Sequence, residues 1–228
     1  MTGTWINVAA VLAGSLVGLA LRRTLPERVA GTVLQGVGLA VLLIGAQMSL
    51  ETGNVLLPLF SLALGAAVGE ALDLEAALER LGEGLQRRVA RLDPGGRFTE
   101  AFVTPTLLFL VGPMAIMGAI NDGLLGDSSL LVTKSLLDGI TALALASTLG
   151  VGVVFSAIPV LLYQGAIALA AGTARALFTD PVVREMTATG GLLVIGIGIN
   201  MLRLGSMRVG NLLPALAVVL VLARLVGR

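Results

Sequence analysis

The sequence predicts an all-α integral membrane protein, a polytopic bundle of seven or eight transmembrane helices. Three observations carry that expectation. The 228 residues are 56% hydrophobic and only 13% charged, where soluble domains average about 25% charged residues. Mean hydropathy is +0.98. Apolar stretches close to the roughly 20 residues needed to cross a bilayer recur along the whole chain.

Span one runs from about Trp5 to Leu21. It has no basic segment before it and no convincing cleavage site, so it reads as a retained span rather than a signal peptide. Span two covers about Val29 to Leu50, and Asn54 opens span three, which ends near Leu72. Next, Leu74, Ala77, Leu78, Leu81 and Leu85 recur at helical spacing, with Glu79, Glu83, Arg87, Arg88 and Arg91 on the remaining surface. That pattern is an amphipathic helix, ended by the Asp93–Gly96 turn. It reads as a helix resting on headgroups or packed on the bundle, with a regulatory or partner-binding surface as the alternative.

Span four runs from about Glu100 to Ile120, and Pro113 inside it predicts a kink that frees a carbonyl near Phe109. Ser128 or Ser129 caps span five, which continues to about Leu149. Span six covers about Val151 to Leu177, span seven Met186 to Leu202 and span eight Asn211 to Val226. Only Gly150–Gly152 separates spans five and six, so one kinked element, and hence seven spans, stays open. The chain is a single transmembrane domain: a first three-span unit over residues 5–72, the connector 73–97, a central pair 98–150 and a second unit 151–228.

The two units look duplicated. Gly38 matches Gly191, Gly45 matches Gly198, Gln47 matches Asn200 and Met48 matches Met201. After a short insertion Asn54 matches Asn211 and Pro58 matches Pro214. With eight spans the copies start five helices apart, and an odd offset inverts the second, as in many secondary transporters. With seven they would be parallel. Arginine placement orients the whole: ten arginines, Arg22 to Arg97 with Arg203 and Arg208, gather in one set of loops, and Arg175, Arg184, Arg224 and Arg228 in the other. The richer set is expected in the cytoplasm, with the amino terminus outside.

Several functions are excluded by composition. Net charge is +1 and there is no cysteine or histidine. That leaves no basic excess for nucleic acid, no thiolate or imidazole metal site and no histidine base. No nucleotide-binding loop or nucleophile elbow is present, so neither an enzyme nor a cofactor is expected. Glycine-rich spans admit a homodimer, and the bilayer is the certain partner.

What remains is the intramembrane polar set. Lys134 and Asp138 stand one turn apart in an apolar stretch. Ionisable groups there are expensive, by about 2.5–3.5 kcal/mol each on insertion scales, and they mark polar paths or structural ion pairs. Ser135 lies on the same helix, and Asn121 and Asp122 lie just upstream. Asp127 suits a plain helix cap. Asn7, Gln47, Gln164 and Asn200 form a set of amides in the paired spans, able to bind a polar solute or to glue helices together. These nine residues, with Asp127 set aside, are the candidate solute or ion site.

The stretches "FVTPTLLFLVGPMAIMGAINDGLLGDSSLLVTKSLLDGITALALASTLGVGVVFSAIPVLLYQG", "ERVAGTVLQGVGLAVLLIGAQMSL" and "MTATGGLLVIGIGINML" resemble a bacterial inner-membrane family of the YdfK/YqgA type, domain of unknown function 554. The resemblance covers nearly the whole chain. It implies a multi-pass protein of the bacterial inner membrane, of a type often labelled a transporter. The family often lacks proline at the position of Pro113. The leading expectation is a secondary transporter or channel for a small polar solute or cation, with Lys134 and Asp138 as a switchable pair and Gln47 and Asn200 as matched ligands. The alternative is a membrane scaffold or signalling partner whose polar residues only hold helices together.

Overall fold

The computed structural model describes residues 1–89 and 97–226, and those residues contain helices but no strand. Arg91, the Asp93–Gly96 turn and Arg228 lie outside the described residues. Spans one to three are α1 (Thr2–Arg22), α2 (Glu27–Ser49) and α3 (Leu56–Leu72). The amphipathic connector is α4 (Leu74–Val89). Span four is divided into α5 (Phe98–Leu110) and α6 (Pro113–Leu124), and span five is α7 (Ser129–Thr148). Span six comprises α8 (Gly152–Phe155), α9 (Ala157–Leu169) and the short α10 (Ala171–Ala174). Span seven is α11 (Asp180–Met201). Span eight is a 3-10 turn, Val209–Leu212, leading into α12 (Pro214–Val226).

Among the described residues, six helical stretches are long and apolar enough to cross a bilayer unaided, and the number is eight if the bent pairs α3–α4 and α5–α6 each count as one span. Glycine contacts give the directions. Along α1 and α7, Gly3 abuts Leu131, Gly14 abuts Gly139 and Gly18 abuts Leu143, so these helices are parallel. Along α2 and α11, Gly38 meets Leu202, Gly198 meets Leu42, Gly45 meets Ile195 and Gly191 meets Ser49, so these are antiparallel. In α3, Gly65 meets Ala215 and Gly69 meets Asn211, again antiparallel. Since α3 runs along α12, it crosses the layer, and a parallel α1 and α7 then require α5–α6 to cross as well. At Gly14, Gly18, Gly45, Gly65, Gly69 and Gly191 a Cβ would strike backbone, so these glycines let helices touch backbone to backbone.

Two groups of helices result. One joins α1 and α7 with α5, α6, α8 and α9; the other joins α2 and α11 with α3 and α12. Leu16, Leu39, Leu43, Leu136, Ile140 and Leu162 are exposed on the outside, as a lipid-facing surface requires. The loops fall on two faces. Arg22, Arg97, Arg203 and Arg208 lie on one, the Arg203 face; Asp122, Asp127, Glu185 and Arg224 lie on the other, the Asp127 face.

One expectation is corrected and one alternative is closed. Pro113 does not kink a continuous helix. Proline disfavours helical geometry in the residue before it, so Gly112 is extended (φ −91°, ψ 146°) and Pro113 starts a new helix. There its missing N–H costs nothing, and the axis bends by 63°. Nor do spans five and six form one kinked element. Gly150, at φ 110°, turns the chain back, and Gly165 on α9 then lies beside Met1 while Gly150 lies against Arg22.

Candidate functional site

α7 places Lys134 and Asp138 on its α1-facing side, where both are buried. Lys134 Nζ donates to Asp138 Oδ2 at 2.5 Å. Asn7 on α1 donates from Nδ2 to the same oxygen at 3.0 Å. The close glycine contacts at Gly3, Gly14 and Gly139 are what bring α1 near enough for a side chain as short as asparagine to reach. The Lys134 ammonium also lies 5.8 Å from the ring centre of Phe109 on α5, within cation–π range. Lys134 is five residues past Ser129, about 7.5 Å along the helix, in the half nearer the Asp127 face.

Asp122, buried on α6, serves the start of α1. Its Oδ2 accepts from the Thr4 N–H at 3.3 Å, and its Oδ1 lies 3.5 Å from the Met1 ammonium. A carboxylate there complements the positive end of the helix.

A third set of groups lacks partners. Gln164 on α9 is wholly buried, and neither atom of its side-chain amide has a hydrogen-bond partner among the described residues. The same holds for Asn7 Oδ1, for the hydroxyls of Thr4 and Ser15 on α1, and for that of Thr106 on α5; Ser61 on α3 is a further case outside this group. The helices α1, α5, α6, α7 and α9 pack on one another, so these groups share one bundle with the Lys134–Asp138–Asn7 cluster. A buried polar atom left unsatisfied costs about 1–3 kcal/mol, and native structures keep few of them.

The other candidates lie elsewhere or are occupied. The Ser135 hydroxyl donates to the Leu131 carbonyl at 2.5 Å. Asn121 is half-buried, and its backbone carbonyl accepts from Leu125 and Asp127 to close the turn into α7. Gln47 is exposed near the end of α2 on the Asp127 face. Asn200 clamps the loop after α11 on the Arg203 face. Its Nδ2 donates to the Met207 carbonyl and its Oδ1 accepts from the Met207 N–H, both at 2.7 Å. The expected meeting of Gln47 and Asn200 with the Lys134–Asp138 pair therefore does not occur. The reason is geometric: α2 and α11 are antiparallel, so matched positions near their carboxyl ends fall at opposite faces.

Glu185 on α11 is a buried carboxylate the sequence reading passed over. Thr52 Oγ1 donates to Glu185 Oε2 at 2.6 Å and the Gly53 N–H to Oε1 at 2.8 Å, tying the α2–α3 loop to α11. It stands one residue before Met186, the expected start of span seven, and so lies outside the expected spans. On the Arg203 face, Arg208 pairs with Glu70 and Asp73, and Asn211 accepts from the Glu75 N–H at 2.7 Å while donating to Glu70 at 2.6 Å. Burial pushes the Glu75 carboxyl above its ordinary range, although the Gly210 N–H bonded to it pulls the other way. Asp127 accepts from the Ser129 N–H at 3.0 Å, and its bonds to Ser129 hold its pKa below the usual carboxylate value.

The family described as "Protein of unknown function (DUF554)" matches residues 2–224. The chain is 34% identical over 217 residues to "Uncharacterized protein YqgA" of Escherichia coli (strain K12), covering 94% of this chain and 92% of that protein. It is 29% identical over 222 residues to "Uncharacterized membrane protein YdfK" of Bacillus subtilis (strain 168), covering 96% and 93%. No solved structure matches the chain.

Proposed function

We propose a transport function for this chain, which belongs to the DUF554 family. In this reading it is a small secondary transporter or channel that passes a small polar solute or cation through the bundle of α1, α5, α6, α7 and α9. It is neither an enzyme nor a cofactor carrier, and it sits in the bacterial inner membrane with the arginine-rich Arg203 face in the cytoplasm.

The observation that carries the reading is Gln164. An amide with both donor and acceptor unpaired in the apolar interior is costly to keep. A polar guest moving along the bundle would satisfy it. Asp138 supports the same path. Its Oδ2 takes both Lys134 and Asn7, which leaves Oδ1 to engage a cation or polar group.

The contacts between α2 and α11 support an inverted duplication. Residue matching pairs Gly38 with Gly191, Leu42 with Ile195, Gly45 with Gly198 and Met48 with Met201. Gly45 packs on Ile195 while Gly198 packs on Leu42; Gly191 packs on Met48 while Gly38 packs on Met201. Each contact is its partner's image when the copies are exchanged, as a twofold axis demands. An axis relating antiparallel spans lies within the bilayer plane, the arrangement found in many secondary transporters.

Asn200, satisfied by the loop that follows its helix, and Glu185, satisfied by the α2–α3 loop, are what the scaffold alternative would expect of every polar group. The test is flux in proteoliposomes across a panel of monovalent cations and neutral amino acids, comparing wild type with Asp138→Asn and Gln164→Leu. Flux of one solute that falls at least tenfold in both variants supports transport through this bundle. Silence of the wild type across the panel, or equal flux in all three proteins, overturns it.

A further inference from the structure

A cavity of about 760 Å³ lies at the Arg203 face, within the size range of small-molecule sites. It occupies the seam between the two helix groups. The end of α1, the first half of α2, the start of α5 and the ends of α7 and α11 all contribute to its wall. Arg22, Arg97 and Arg203 line it, with Gln35 as a neutral donor, and Glu27 is the single carboxylate among the lining residues. None of the three arginines forms an ion pair among the described residues. Two are held against the wall: Arg97 donates to the Thr148 carbonyl at 2.9 Å, and the Arg22 guanidinium lies against Gly150.

Arg203 adds an independent observation. It sits at φ 56°, in the left-handed region that favours glycine. The end of α11 is closed there by two bonds, Arg203 N–H to the Asn200 carbonyl and Leu204 N–H to the Ile199 carbonyl, both 3.0 Å. This is the helix ending at which glycine is usual. The chain holds an arginine at a backbone position suited to glycine, and its side chain faces an arginine-lined cavity.

We infer that this cavity is a binding site for a phosphate-type oxyanion, with Arg22, Arg97 and Arg203 as its cationic wall. Guanidinium is permanently charged, and its planar fork matches two oxygens of a phosphate. A soluble anion and the headgroup of an anionic phospholipid share that chemistry. The site does not depend on the transport reading, because it lies in the seam rather than within the α1–α7 bundle.

The test uses the full chain and has two arms. In neutral detergent at constant ionic strength, inorganic phosphate is titrated against chloride while the unfolding midpoint is followed. In the second arm, protein from vesicles of phosphatidylcholine with phosphatidylglycerol is delipidated stepwise, and retained lipid is weighed by native mass spectrometry. The variants are Arg203→Gly, which relieves the backbone while deleting the charge, and Arg22→Gln. A saturable phosphate response, weakened at least tenfold in Arg203→Gly although its ligand-free midpoint is no lower than wild type, assigns a soluble anion. Selective retention of phosphatidylglycerol by wild type and not by the variants assigns the headgroup. No response and no selective retention, or behaviour shared equally by wild type and both variants, overturns the site.

Discussion

Asn7 of α1 ties itself to Asp138 of α7 through the same carboxylate oxygen that Lys134 holds, at 3.0 Å against 2.5 Å. The helix–helix contact and the ion pair therefore share one atom. Anything that draws Asp138 away from Lys134 also loosens α1 from α7, and the longest packed interface of the first helix group lies along that line.

The first prediction concerns that coupling. Deleting one member of a buried pair leaves the other charge uncompensated, at a cost of about 3–5 kcal/mol. Lys134→Met and Asp138→Asn are each expected to destabilise the protein by that order. The double variant, with neither member of the pair charged, should recover most of the loss. Unfolding in mixed micelles, read as a double-mutant cycle, measures the coupling; two single losses that simply add in the double variant would refute it.

A second prediction separates two kinds of helical glycine. A Cβ on Gly14 would collide with the Gly139 carbonyl, so Gly14→Ala must push α1 off α7. Overpacking of that kind costs about 1–3 kcal/mol. Gly36 on α2 has nothing within 4 Å of its would-be Cβ. Replacing a helical glycine by alanine in free space gains about 0.5–1 kcal/mol, so Gly36→Ala should melt higher. The opposite signs, in one thermal-melt experiment, check whether the parallel α1–α7 contact is real.

Much of this architecture was readable from residue order. Apolar runs gave the helical stretches, six to eight of them long and apolar enough to span, since a bilayer leaves the backbone little choice but helix. Ion-pair spacing gave Lys134 with Asp138, because an (i, i+4) relationship is local. Partners across helices were not legible: Asn7 meets Asp138 only because Gly3, Gly14 and Gly139 thin the interface, which no local pattern announces. Gln47 and Asn200 matched in sequence, yet an antiparallel pairing sends equivalent residues to opposite faces. Glu185 was lost because span seven was expected to start at Met186, whereas α11 starts at Asp180. The arginine cavity was invisible for a similar reason, since its wall comes from five separate helices.

The third prediction follows from Glu75, on the amphipathic α4 outside the spans. Burial raises its carboxyl above the ordinary glutamate range. Between the unfolded and folded values the native state keeps a proton that the unfolded chain has lost. Native protons then exceed unfolded protons, so stability falls as pH rises through that window. Glu75→Gln can still accept from the Gly210 N–H but carries no charge. Its melting temperature should change less between acidic and neutral pH than wild type's and should be the higher of the two at neutral pH. A slope identical to wild type's would place the titrating group elsewhere.

The fourth prediction tests the eight crossings, and the lack of cysteine makes it direct. Single cysteines are introduced at four exposed positions: Thr24 and Ser206 on the Arg203 face, Glu51 and Asp127 on the other. A membrane-impermeant maleimide added to intact cells should label Glu51→Cys and Asp127→Cys and spare Thr24→Cys and Ser206→Cys, if the arginine-rich face is cytoplasmic. The reverse pattern would keep the eight crossings and flip the orientation. The decisive comparison is Glu51 with Asp127, because the bent α5–α6 pair lies between them in the chain. Were that pair to dip into the bilayer and return, Asp127 would label with Thr24 instead of Glu51. The parallel packing of α1 on α7 would then be impossible, and with it the reach of Asn7 to Asp138.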